Sequence, residues 1–301
     1  MKKIQKKSVV LGGVLLSVAS ANAMASCNDI FSAWNNNLIT SSLDGTGNGG
    51  FSFPVWVAAV DETGRVCAVI NSSTTGTGTG TGTGTTGTGT TATGATIGNR
   101  SWLGSRIIAI QKATTANSFS FDDFSISTAN LYGLTMPGGS MYGLQFSTPI
   151  GSTVGVAGST DSSGSTNSLG STDDSFGQGS NDPAVGTHVA GVIPFGGGLA
   201  LYNSQGVKVG AIGVSGDTSC TDHAVAWRLR TAMRLNNIPS GFVKGYTQTP
   251  AAGAAGALGD EMIINTSGDI ANIINTYKQP SCALNAVLNP TAGSETGVII
   301  E

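Results

Sequence analysis

Twice in this chain, two short runs of β-forming residues flank a tight turn and a helix-forming segment follows. Residues 54–70, PVWVAAVDETGRVCAVI, place two such runs about the turn Asp61–Gly64. Residues 192–215 repeat the arrangement, with VIPFGGGLALYN and VKVGAIGVS on either side of Ser204–Gly206. Runs rich in Val, Ile and aromatic residues, joined by Asp- and Gly-containing turns, are the signature of β-hairpins. The first hairpin leads, across a low-complexity stretch, into residues 103–118, where positions 107, 110, 113 and 117 give one apolar or small stripe at helical spacing. The second leads directly into residues 221–235, with Val225, Leu229, Ala232 and Met233 on one face and a cap expected from Thr221 or Asp222. Residues 125–134 are expected to form a shorter helix capped by Ser127 or Thr128, and residues 136–146 to turn at Pro137–Gly139 and then extend. Residues 260–265 predict one further strand. Hairpins with helices outside the sheet imply an α+β layer around a mostly antiparallel sheet of about five strands.

Not all 301 residues build that layer. The opening MKKIQKKSVVLGGVLLSVASANAMASC has four lysines, a short apolar run from Val9 to Val18, and small residues before candidate cleavage points at Ala23 and Ala25. That is the layout of a secretory signal peptide over residues 1–25, and the run is too short to span a bilayer comfortably. Acylation of Cys27 as a lipoprotein is the weaker alternative, because Met24 and Ser26 fit the Leu-Ala-Gly-Cys pattern poorly. No other stretch is long and apolar enough to be a transmembrane span. The chain is therefore expected to be exported, to the periplasm or beyond.

Loss of the leader leaves 10 basic residues against 17 acidic ones. With no Lys/Arg run elsewhere, nucleic acid is not an expected partner. Residues 72–98 are nearly pure Thr-Gly repeat, too poor in apolar groups to offset the entropy of folding, and read as an insert. Gly82, Gly84 and Gly87 there satisfy GxGxxG only through the repeat, without the strand–turn–helix context of a dinucleotide site. Residues 151–182 form a second Gly/Ser/Asp-rich loop. Its Asp161, Asp173, Asp174 and Asp182 lack calcium-loop spacing and are expected to be solvated. One domain over 26–71 and 99–282 remains, with a tail at 283–301.

Cys27, Cys67, Cys220 and Cys282 are even in number and widely spaced, which in an oxidising compartment implies two disulfides with three possible pairings. No Cys or His cluster at zinc spacing is present. The motif GVSGD (213–217) is one residue short of a nucleophile elbow, with Asp217 at the last glycine position. A hydrolase would have to bring His188 or His223 to Ser215 on a parallel sheet, whereas hairpins argue for an antiparallel one. Gly213 and Gly216 are better explained by a sharp turn or the close approach of a flat ligand.

Several stretches together resemble one family. VAAVDETGRVCAV (57–69), GSRIIAIQKATTANSFSF (104–121), STANLYGLTMPGGSMYGL (127–144), GGGLALYNSQGVKVGAIGVSGDTSCTDHAVAWRLR (196–230) and QPSC (279–282) are similar to the GlcG/HbpS-like haem-binding family, in its exported, disulfide-bearing bacterial branch. The resemblance implies a PAS- or profilin-like α+β domain that oligomerises with itself and binds haem or a related tetrapyrrole. Haem degradation is implied only for some relatives, so enzymatic activity is not expected here beyond slow haem breakdown. The chain departs from the family where Leu103 takes a proline position and where His188 replaces a basic residue. Of the three disulfide pairings, Cys220–Cys282 is expected, leaving Cys27–Cys67.

The candidate iron ligands are His223 first, since a helix N-terminus favours the neutral imidazole that ligates, and His188 second. Tyr132, Met136, Met141 and Tyr142 lie within eleven residues and carry other known ligand types, with Tyr142 and Met141 preferred. Arg106 and Lys112 are the candidate partners for haem propionates. The alternative is an exported small-molecule or partner-binding module without haem, its Gly-rich second hairpin lining the pocket.

Overall fold

The computed structural model describes residues 27, 28, 30, 50, 51, 53–72, 103–146, 176–180, 182–238, 259–264 and 298–300. The leader, the Thr-Gly insert beyond residue 72, residues 151–175 of the second loop, and Cys282 lie outside them. Five strands form one antiparallel sheet: β1 (Trp56–Asp61), β2 (Val66–Asn71), β3 (Gln178–Gly179), β4 (Gly198–Tyr202) and β5 (Lys208–Ser215), in the order β3-β2-β1-β5-β4. Both expected hairpins are present, β1 with β2 and β4 with β5, and β1 joins them by pairing with β5. Each turn is closed by one side chain. Asp61 Oδ1 accepts from Thr63 N and Arg65 N, with Gly64 at φ +84°. Asn203 Oδ1 accepts from Gln205 N and Val207 N, with Gly206 at φ +75°. Asx-type bonding and a left-handed glycine are what short hairpin loops require.

The strands read as continuous apolar runs because both faces of the sheet are covered. On one face, Val57, Ala59, Leu199, Leu201, Ile212 and Val214 pack against α3 (Ser219–Ala232) through Val225, Trp227 and Leu229. On the other, Trp56, Ala58, Val60, Val69 and Ala211 meet Ile107, Ile110 and Ala113 of α1 (Leu103–Phe119). The result is an α+β architecture with a central antiparallel sheet between helices, consistent with a PAS- or profilin-like fold. Helix α1 comes unusually close to β4 and β5. Gly198 and Gly213 are cross-strand partners, and a Cβ on either would overlap α1 backbone, at Lys112 O and Ala109 O respectively. Gly213 is thus used for the close approach of a helix, not of a flat ligand.

Two local expectations fail. Residues 125–131 turn instead of coiling, and the helix α2 is limited to Tyr132–Thr135. Ser127 N and Oγ both donate to Asn130 Oδ1, while Thr128 Oγ1 donates to Phe195 O and accepts from Gly198 N. Ser and Thr bonded in this way compete with helix formation, so neither residue caps. Residues 136–146 also do not extend. Left-handed Gly138 and Gly143 keep the chain turning into a 3₁₀ turn at Leu144–Phe146.

The strand expected near 260–265 is found as β6 (Met262–Ile264), pairing in parallel with β7 (Val298–Ile300) apart from the main sheet. Cys27 and Cys67 are disulfide-bonded, fastening the residues before β1 to β2. Cys220 is also disulfide-bonded, and its expected partner Cys282 lies outside the described residues.

The α1 contact yields a stability prediction. Gly213→Ala forces a methyl into the Ala109 carbonyl and should cost about 3 kcal/mol, as overpacking does. Urea unfolding of the purified variant measures this, and a loss below about 0.5 kcal/mol would show the helix yields freely.

Candidate functional site

The site is organised around the start of α3. Thr218, in extended conformation, is the N-cap and its Oγ1 accepts from Thr221 N at 3.3 Å. The expected caps, Thr221 and Asp222, lie inside the helix instead. Asp222 is released for a longer-range role. Its Oδ2 accepts from Lys112 Nζ at 2.7 Å and its Oδ1 from Asp217 N at 3.1 Å, while Lys112 Nζ also donates to Val214 O. The buried pair ties α1 to α3 across the end of β5. Burial pushes the Asp222 carboxyl up to about 6, against the opposing pull of Lys112.

The next residue, His223, is wholly buried. Its ring stacks on Trp227, with centroids 6.1 Å apart, and the Arg230 guanidinium lies 4.6 Å above the Trp227 ring. Positions 223, 227 and 230 share one helical face, so the stack follows from helix geometry alone. Arg230 Nη1 and Nη2 donate to the two oxygens of Asp260 at 2.6 and 2.9 Å, and Ser125 Oγ donates to Asp260 at 2.7 Å. Burial raises the Asp260 carboxyl, but Arg230, with help from Ser125, holds it below its ordinary value. A Cβ on Gly196 would lie 3.0 Å from His223 Cβ and would overlap Met262 Cε, so Met262 and His223 converge on the same glycine. Cys220, Ala129 and Ile264 complete that apolar cluster.

The other candidates are dispersed. Arg106 is fully buried, bonded to Asp182 through Nε at 2.9 Å and through Nη2, with Phe176 stacked 4.4 Å from its guanidinium. Asp182 is therefore not solvated as its Gly/Ser-rich surroundings suggested. It also accepts from Gly177 N and Ala184 N and organises its own loop. Both expected propionate partners, Arg106 and Lys112, are thus bonded to carboxylates of this chain. Tyr142 is exposed and lies edge-on to Phe146, whereas Met141 packs beneath with Ile126, Leu131 and Leu134. Tyr132 tilts against Phe195, next to Gly196, so that ledge adjoins the His223 region. His188 is exposed and forms an isolated bridge with Arg65 beside the β1–β2 turn, at the far end of β1 from α3. Ser215 is buried and its hydroxyl accepts from Ser105 Oγ at 3.2 Å, on an antiparallel sheet. That is not the exposed nucleophile of a hydrolase elbow. Cys27, Asp61 and Cys67 bring three ligand-type atoms within 4.8 Å, but the two sulfurs are spent in a disulfide.

Trp227, Arg230 and Asp260 were missed in the sequence. The His-x₃-Trp-x₂-Arg spacing was the available signal for the first two, obscured by the apolar stripe of the same helix. Asp260 carried no local signal.

A family profile described as "Haem degrading protein HbpS-like" matches residues 90–229. Among solved structures, the Klebsiella pneumoniae protein ORFY is 16% identical, with 69% of this chain and 89% of that one covered and a TM-score of 0.36. The haem complex of PduOC is 18% identical, with 69% and 93% covered and the same TM-score, 0.36. No curated protein matches the chain. The profile match gives the chain a superfamily-level likeness to the HbpS-like proteins over residues 90–229. For haem itself, the chemistry of the site suits in part. His223 offers an imidazole beside an aromatic ring, but His223, Arg230, Asp260 and Met262 are all buried.

Asp222 gives the site a pH signature. Its folded form holds a proton more tightly than the unfolded chain, in which the group ionises near 3.8. The stability this contributes is full below about pH 4 and is lost as pH rises through about 6. The difference in urea midpoint between wild type and Asp222→Asn should therefore change between pH 4 and 7, and a constant difference would contradict the assignment.

Proposed function

We propose that this protein binds haem or a related tetrapyrrole outside the cytoplasm, for sequestration, sensing or uptake, with His223 as the axial ligand. The observation that carries the reading is the family match over 90–229, which spans α1, β4, β5 and His223 itself. His223 is wholly buried at the start of α3 against the Trp227 ring, and imidazole is a common axial ligand of haem iron. Met141 and Tyr142 are the next ligand candidates, and His188 is the last. Export through the leader, self-association and the Cys220–Cys282 disulfide are parts of the same proposal. Among the described residues no helix is long and apolar enough to cross a membrane.

A second reading has one observation in its favour. His223 is wholly buried, as expected of a module that binds a small molecule or partner elsewhere without haem.

A haemin titration of the mature protein followed by visible absorption separates the two. The expected result is a saturable, shifted Soret band, with His223→Ala weakening binding roughly tenfold or more. A band unchanged by the substitution moves the ligand to Tyr142, Met141 or His188, and no saturable band favours the haem-free module.

A further inference from the structure

Residues 259–264 lie over the His223 site but are not woven into the main sheet. The ladder bonds of β6 go to β7. Among the described residues, side chains tie it to the rest of the domain: Asp260 to Arg230 and Ser125, Asn130 Nδ2 to Glu261 O, and Met262 with Ile264 to the Ala129–Cys220 cluster. Gly259 N is closed back onto Glu261 Oε2. Segments held this way open more readily than central strands, whose backbone bonds are made within a cooperative ladder.

The chemistry at the polar end of this segment is that of a ligand. A guanidinium fully buried beside an aromatic ring takes a carboxylate in a two-pronged bond. The carboxylate on Arg230 belongs to Asp260, and the Arg230 Nε–H, equally buried, has no hydrogen-bond partner among the described residues. The apolar end, Met262, converges with His223 on Gly196.

We infer that residues 259–264 are a displaceable strap, in which Asp260 and Met262 occupy the places that a carboxylate and the apolar face of a planar ligand take on Arg230 and His223. The ligand class is a flat, hydrophobic molecule carrying at least one carboxylate. For haem this rests on the proposed function above, and it makes Arg230 the propionate partner instead of Arg106 or Lys112. Exchanging one carboxylate for another on a buried Arg230 avoids leaving the cation unpaired, the step that would otherwise forbid opening.

The chain has two histidines, one exposed and one beneath the strap, which allows an internally controlled test. The mature wild type, Asp260→Asn and the double variant Arg230→Met/Asp260→Asn are treated with diethyl pyrocarbonate without haemin, and each histidine is followed by mass spectrometry. His223 modification should rise about tenfold in both variants, the scale of losing one charge-assisted bond, while His188 stays constant. In haemin titrations Asp260→Asn should bind about tenfold more tightly than wild type, and the double variant should lose that gain. Should Asp260→Asn fail to fold with its cation unpaired, the double variant, which buries no lone charge, still carries the labelling test. His223 reactivity equal to wild type in the folded variants overturns the strap. Raised reactivity without tighter haemin binding in Asp260→Asn overturns the carboxylate exchange. No saturable Soret band in any protein overturns the haem reading, while the labelling decides the strap separately.

Discussion

The contact on which the rest depends is the approach of α1 to the β4–β5 hairpin. Gly198 and Gly213 face each other across the hairpin and remove the two side chains that would hold a helix at ordinary distance. With α1 lowered onto the sheet, Lys112 reaches Val214 O and Asp222 at the end of β5. That pair fixes the direction in which α3 leaves the sheet, and therefore the placement of His223 one residue later. The Gly196–Gly198 arch closes over the same point because it too lacks Cβ atoms. A Cβ on Gly197, at φ +117°, would stand 3.0 Å from Asp222 Cβ and 3.1 Å from Lys112 Nζ. Glycines that in composition suggest flexibility here permit tight packing.

In a chain with only 10% charged residues, the described residues hold three buried ion pairs. Such pairs contribute little net stability, since desolvation consumes most of the attraction, but an unpaired member is costly. Their effect is on specificity. Arg106–Asp182 fixes the second loop to α1, Lys112–Asp222 fixes α3 to α1, and Arg230–Asp260 fixes the strap to α3. Each allows one arrangement of elements that are far apart in the chain and excludes shifted ones.

The fold was legible because its signals are local. Asp61 with Gly64 and Asn203 with Gly206 specify hairpins within a few residues, and the apolar positions of α1 and α3 recur at helical spacing. The site was less legible because its partners are distant. Lys112 and Asp222 are 110 residues apart, and Arg106 and Asp182 are 76 apart. Asp182 sits in a run of Gly, Ser and Asp whose composition points to solvent, and nothing local distinguishes it from Asp173 or Asp174. Ser127 and Thr128 misled for the opposite reason. Their cap-forming chemistry was correctly recognised, but their bonds go to Asn130 and to the Phe195–Gly198 arch.

The closed packing around His223 and the family link to haem-associated proteins are compatible if the site is read as one that carries its own occupant. A buried guanidinium above an aromatic ring is unfavourable without an anion, and a buried imidazole beside an open cavity would draw in water. Asp260 supplies the anion, and the wholly buried His223 faces no solvent, so both conditions are met. The occupant need not be integrated into the sheet to do so, and β6 is not. The arrangement ties a ligand's affinity to the difference between its contacts and those of the strap, not to its contacts alone. A ligand lacking the carboxylate would have to leave Arg230 unpaired in order to reach His223, so the same residues that protect the site also select what enters it.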